Sequence, residues 1–245
     1  MQDGPVNPFS SNRYATNTEV KESLQVMLDS KLPNKTIVVF DWNIGCALQK
    51  DHQLNTLFPK YDYVVLLDND IIVNKYYIKT IKTLFDQFRD DDEAGIIQTS
   101  FRHDGKTFQT EEDAKRLENF VEYGYSHRWE FGIYRHTWSC IRHLWNEYID
   151  KVRECDFHEL LYNKSLYKNI REDLLNKRGT EHADYTIELL AKKFNFKGVH
   201  TLSLRHKTIG RDGLYSFKKD RFECGRYGSI DLYNVGNVER YSLKV

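Results

Sequence analysis

The chain has 245 residues, enough for one sizeable domain with a real core or for two small ones. Its 36 basic residues equal its 36 acidic ones, which leaves no electrostatic basis for general nucleic-acid binding. Aromatics at 14% exclude a disordered chain, and no apolar run approaches the roughly 18–20 residues of a membrane span.

Thr16-x-x-Glu19 reads as a capping box, and Val20, Leu24, Met27 and Leu28 fall on one face of the helix it starts. Pro33-Asn34 breaks that helix, and the β-branched run Thr36–Phe40 predicts a short strand. Residues 46–58 read as a helix. Tyr61–Leu67 is apolar on both faces after its first two residues, as a central strand of a parallel sheet should be. Ile78, Ile81, Leu84, Phe85 and Phe88 mark another amphipathic helix, which Asp90–Glu93 ends before the strand Gly95–Thr99. Such alternation predicts βαβ units with helices over the sheet.

Asp104-Gly105 signals a hairpin between Ile97–Arg102 and Thr107–Gln109. Residues 111–126 read as helix. A short strand, Trp129–Tyr134, precedes a long helix from about His136 whose core stripe is Trp138, Ile141, Trp145, Tyr148 and Val152. A charged helix is expected over 157–175, Gly179-Thr180 opens another, and Gly198–Leu204 reads as a last strand. With no repeat and no linker evident, one main domain is expected over 1–210. The remaining 211–245, rich in Arg, Tyr, Phe and Gly, would be a tail packing on or near the site.

Asp68-Asn69-Asp70 stands at the end of an apolar strand, where open α/β sheets bind their ligands. Two carboxylates flanking one residue can hold a hard divalent cation, Mn²⁺ or Mg²⁺, which would bridge a diphosphate. The plainer reading is a polar turn, since Asp and Asn favour loops. The buried strand before the triplet, and Ile71-Ile72-Val73 with a helix after it, favour the metal-diphosphate reading.

The stretch from Asn43 to Val73 resembles the nucleotide-binding half of GT-A-fold glycosyltransferases, family two in particular. Asn43-Ile44-Gly45 is similar to the family's Asn-x-Gly segment before a helix, and Asp68-Asn69-Asp70 to its D-x-D. Trp129–Trp138 resembles the strand leading to the acceptor-side helix, and Gly179–Asp184 the acidic motif that supplies the catalytic base. The resemblance covers roughly residues 9–210, with the D-x-D region its specific part.

The resemblance implies a Rossmann-related, mostly parallel sheet flanked by helices. It implies a metal-dependent, inverting, hexosyltransferase-like enzyme moving sugar from a nucleotide-sugar, a UDP-sugar by expectation, to a hydroxyl of a glycan, lipid-linked sugar or protein. Asn43, Gly45, Asp68, Asn69 and Asp70 would bind the nucleotide-sugar. Asp68 and Asp70 would hold Mn²⁺ or Mg²⁺, with His206, after the last strand, as third ligand or phosphate contact. Asp184 or Glu181 would take the acceptor's proton, although acidic residues behind an N-cap such as Thr180 also simply suit a helix start. Trp129, Glu130 and Arg135 would line the acceptor side. Lys207, Arg211 and Lys218 could meet the diphosphate.

The opening residues depart from the family pattern. Phe9-Ser10-Ser11-Asn12 and the helix after them resemble the family's second βα unit with its usual Asp replaced, and the first unit is not evident. Either the chain is a fragment, or its base-binding wall is built differently. A non-catalytic glycan- or protein-binding module derived from such an enzyme is the alternative. A nucleotidyltransferase would carry a Gly-rich phosphate loop near the start, and none is visible.

Two patterns mislead. His136, Cys140 and His143 share a helical face and suggest zinc, but they lack an evident fourth ligand and flank an apolar stripe. Arg128-Trp129 is similar to part of the Q-x-x-R-W motif of processive synthases, yet it precedes the candidate base. The four cysteines are scattered without a C-x-x-C pair, and Met1–Pro5 lacks signal-peptide character. The expectation is a cytoplasmic protein, with peripheral membrane contact open.

Overall fold

A computed structural model describes residues 1–99, 110–125, 130–156, 183–208 and 235–244. These divide into two compact units, one of Met1–Pro59 with Arg142–Ile187, the other of Lys60–Ile141 with Glu188–Val245. No helix among the described residues is long and apolar enough to cross a membrane.

In the first unit, α1 (Asn17–Asp29) starts at the expected capping box. Thr16 Oγ1 accepts from the Glu19 amide at 3.2 Å, and Glu19 answers by accepting from the Thr16 amide at 2.7 Å. Lys35 Nζ closes the other end, donating to the Met27 and Ser30 carbonyls at 3.0 and 2.7 Å, where a cation suits the helix dipole. No residue of α1 is buried. Val20, Leu24 and Met27 are half-buried and Leu28 is exposed.

The expected strand at Thr36–Phe40 is instead a single parallel bridge, Gln2↔Val39. The Gln2 amide donates to Val38 O, the Phe40 amide to Gln2 O and the Gly4 amide to Trp42 O, each near 3 Å. A β-branched run forms a ladder only when a partner of equal length lies beside it. After Asn43, α2 (Gly45–Leu57) begins on Gly45 at φ 75°, a left-handed conformation that favours glycine.

Among its described residues the second unit holds two sheets. The strands are β1 (Tyr63–Leu67), β2 (Ile71–Val73), β3 (Ala94–Gln98), β4 (Phe120–Tyr123), β5 (Glu130–Tyr134), β6 (Lys197–Thr201), β7 (His206–Thr208) and β8 (Ser242–Leu243). The larger sheet runs β1-β5-β3-β6-β4-β8, and β2 pairs with β7. The architecture is α/β, but the sheet is mixed rather than mostly parallel: β3–β6 and β4–β8 are parallel, the other three pairings antiparallel. β1 is correspondingly not a central parallel strand. Along its whole length it pairs antiparallel with β5, and Leu67 at its end is exposed.

α3 (Tyr77–Gln87) supplies Ile81, Leu84 and Phe85 to the core of this unit as its period predicts, but Tyr77 is buried in place of the expected Ile78, which is exposed. Helix is found over only α4 (Glu111–Arg116) of the expected 111–126. Leu117 ends it, and Phe120–Tyr123 pairs with β6 because its aromatic and β-branched side chains suit a ladder. β6 likewise stops at Thr201, whose Oγ1 donates to Ser203 O at 2.9 Å across a bend. α5 (Arg135–Val152) buries the predicted stripe of Trp138, Ile141, Trp145, Tyr148 and Val152. The last described helix is α6 (Ala183–Lys193). The expected hairpin from residue 100 through its second strand Thr107–Gln109, the 157–175 helix, the Gly179-Thr180 helix opening and most of the 211–245 tail lie outside the described residues.

Candidate functional site

Two ladders bracket Asp68-Asn69-Asp70. Before the triplet, Leu67 pairs with Glu130 at the start of β5; after it, Val73 pairs with His206 at the start of β7. Asp68 and Asp70 are half-buried and Asn69 is exposed. Chain topology thus brings Glu130 to the carboxyl end of β1 and sets His206, 76 residues on (206 − 130), beside Glu130, whereas Asp68, Asp70 and His206 are not gathered into one metal-holding group. Arg205 fastens the segment ahead of His206: fully buried, it donates from Nη2 to Glu118 O at 3.0 Å and from Nη1 to Ser203 O at 3.3 Å. Its own backbone carbonyl accepts from the Asn74 amide at 2.9 Å, tying β7 to the end of β2 a second time.

Glu130 is the most enclosed charge of this group. Its Oε2 accepts from the Tyr77 hydroxyl at 2.7 Å, and its Oε1 from the Thr99 amide at 2.6 Å and the Thr99 hydroxyl at 3.3 Å. His206 Nδ1 lies 3.7 Å from Oε1, and both residues are buried, at 2% and 0% exposure. Burial pushes the Glu130 carboxyl up to about 7, against the opposing pull of the Tyr77 and Thr99 hydrogen bonds. The same burial, and then the Glu130 charge, hold the Tyr77 hydroxyl far above the usual phenol range. Both carboxylate oxygens are taken up by interior groups, the Tyr77 hydroxyl and the amide and hydroxyl of Thr99, so Glu130 is an interior hub rather than part of an acceptor wall.

Arg135 is also placed away from the triplet. Because β5 runs antiparallel to β1, Arg135 emerges at the amino end of β1. There its Nε donates to Tyr61 O at 3.0 Å and its guanidinium pairs with Asp62 at 3.3 Å. Trp129 and Glu181 lie outside the described residues. Asp184 is half-buried in the first turn of α6, where the helix dipole favours a carboxylate, and it belongs to the first unit.

Asn43 and Gly45 are in the first unit as well, buried and engaged through their backbones. The Asn43 amide donates to Val6 O at 2.8 Å, and its carbonyl accepts from Asn7 Nδ2 at 3.1 Å. The amides of Ile44 and Gly45 face the Asp3 carboxylate at 3.4 and 3.3 Å, so the start of α2 already has an anion from the chain itself. Burial raises the Asp3 carboxyl despite those bonds. Sequence reasoning missed Asp3 because no short-range pattern links it to a helix start 41 residues on.

The chemistry of the triplet fits a hard cation held jointly by one or two carboxylates and substrate phosphate oxygens, the usual mode for Mg²⁺. A preformed cage does not arise: no group of three or more His, Cys, Asp or Glu side chains is gathered for a metal among the described residues. His136, Cys140 and His143 are exposed along α5, with the His136 ring resting on Tyr134 at 5.1 Å. No protein-family model matches the chain, and no curated protein matches it either.

Proposed function

We propose that this chain is a metal-dependent glycosyltransferase of the GT-A kind. It would move a sugar with inversion from a nucleotide-sugar, a UDP-sugar first among the candidates, to a hydroxyl of a glycan, lipid-linked sugar or protein. The reading is carried by Asp68-Asn69-Asp70 standing at the carboxyl end of β1, between the ladders to Glu130 and His206. The α/β frame with its mixed sheet is compatible with a Rossmann-related fold.

In this reading Asp68 and Asp70 hold Mn²⁺ or Mg²⁺ with the donor's diphosphate, and His206 meets the same group. When bound, the cation neutralises charge gathering on the departing nucleotide. Asp184 takes the proton from the acceptor hydroxyl as it attacks, a role that rests on resemblance, as does inversion.

The test is nucleotide release from a panel of nucleotide sugars with Mn²⁺. Asp70→Ala is expected to lower turnover by roughly 10²-fold or more, the scale of losing one charge-stabilising group. Turnover without metal, or full activity in Asp70→Ala, overturns the metal assignment. A chain that binds neither UDP nor Mn²⁺ by calorimetry overturns the enzyme reading and leaves a glycan- or protein-binding module.

A further inference from the structure

We infer that Glu130 is a positioning residue for His206, holding its imidazole in the Nδ1–H tautomer and one ring orientation, with Nε2 as the atom that serves the ligand. The carboxylate, on β5, is itself immobilised by three donors from two other parts of the fold: the Tyr77 hydroxyl on α3 at 2.7 Å, and the amide and hydroxyl of Thr99 directly after β3 at 2.6 and 3.3 Å. His206 comes from a fourth, β7, with Nδ1 3.7 Å from Glu130 Oε1. Burying a carboxylate without a partner costs several kcal/mol, and an ionisable group set beside this one is His206. A carboxylate beside an imidazole, by contrast, selects the ring proton and the ring plane, as it does for histidines that bind metals.

The 3.7 Å separation is within ion-pair range and longer than a hydrogen bond. Such contacts are commonly long without ligand and tighten in the complex. The backbone holds the residue in place: His206 is in register with Val73, at the end of β2 farther from the triplet, and the fastening of Arg205 leaves β7 little freedom. The placing of Glu130 against the ring stands on the geometry of these contacts. That Nε2 serves a phosphate or its cation rests on the glycosyltransferase reading.

The decisive measurement is the ring-nitrogen chemical shifts of His206 in histidine-labelled protein without ligand, about two pH units above the ordinary imidazole pKa of ~6.5. The peaks are assigned by their loss in His206→Asn. The expected result is an Nδ1–H tautomer in the wild type and a loss of that preference in Glu130→Gln, which keeps size and an acceptor oxygen but not the charge. An Nε2–H tautomer in the wild type overturns the inference, as does an unchanged tautomer in Glu130→Gln. In the same variant the half-saturating Mn²⁺ concentration for UDP binding should rise 10- to 100-fold, the range for losing a partner behind a metal-binding histidine. A tautomer change without that rise upholds Glu130 as the positioning group and overturns the ligand role given to His206. Glu130→Asp, which restores the charge, should recover part of the tautomer preference, whereas a purely packing role would respond to side-chain size.

Discussion

Glu130 joins three donors and a histidine in a space without solvent, and the balance among them sets how the protein responds to pH. Unfolded, the carboxyl has its ordinary value of 4.5; folded, burial raises it to about 7. The folded state therefore holds the proton more tightly than the unfolded one. The stability this proton contributes is fully present below pH 4.5 and is lost as pH climbs through about 7. At about 1.36 kcal/mol per unit, most of that shift falls between pH ~5 and ~8, a change of roughly 2–3 kcal/mol. Glu130→Gln cannot titrate. Urea unfolding of both proteins at about pH 5 and pH 8 should show the wild type losing roughly 2–3 kcal/mol relative to the variant on going to the higher pH. Parallel behaviour of the two proteins would mean that the carboxyl is not raised.

At the level of the elements, β5 is held to α3 by a contact that only glycine permits. A Cβ on Gly132 would lie 2.3 Å from the Phe85 ring. That ring has nowhere to retreat: it stacks on Tyr63 with centroids 4.0 Å apart and meets Tyr134 edge-on at 4.7 Å. Gly132→Ala should destabilise by about 1–3 kcal/mol, the usual cost of overpacking, read as a lower urea midpoint. Phe85→Leu in the same chain should make the two losses less than additive, because it empties the space the methyl needs; strict additivity would refute the contact. The elements that could be read ahead of the structure share a trait with α3 and α5: a long apolar stripe at helical period, which the core takes up whole in α5 and at every position but Ile78 in α3. Where the outcome hung on a distant partner, local pattern failed. Thr36–Phe40 has strand composition but meets only the first residues of the chain. Phe120–Tyr123 continues a helical pattern until β6 captures it, and β1 looks central because apolar composition does not reveal that its neighbour β5 runs the other way.

For the molecule as a whole, the candidate site was legible to the extent that it is local. Asp68-Asn69-Asp70 announces itself by following an apolar strand, whereas the Glu130–His206 pairing depends on two ladders, and the Asp3 contact on 41 residues of intervening chain. The triplet and His206 belong to the second unit, while Asn43, Gly45 and Asp184 belong to the first. This division gives the proposed function a spatial test that activity alone does not. A ligand that binds only the folded state stabilises it by RT ln(1 + [L]/Kd), about 2.7 kcal/mol at a hundred times Kd. If UDP and Mn²⁺ are held by Asp68 and Asp70, that stabilisation enters through β1, β2 and β7. The ladder amides of Leu66, Ile72 and Lys207 should then slow in hydrogen exchange by about the corresponding hundredfold wherever they exchange through opening of that unit. Asp70→Ala should abolish the effect at the same ligand concentration without altering exchange in the free protein by a comparable amount. Protection confined to the first unit would place the ligand elsewhere and remove the triplet from the site.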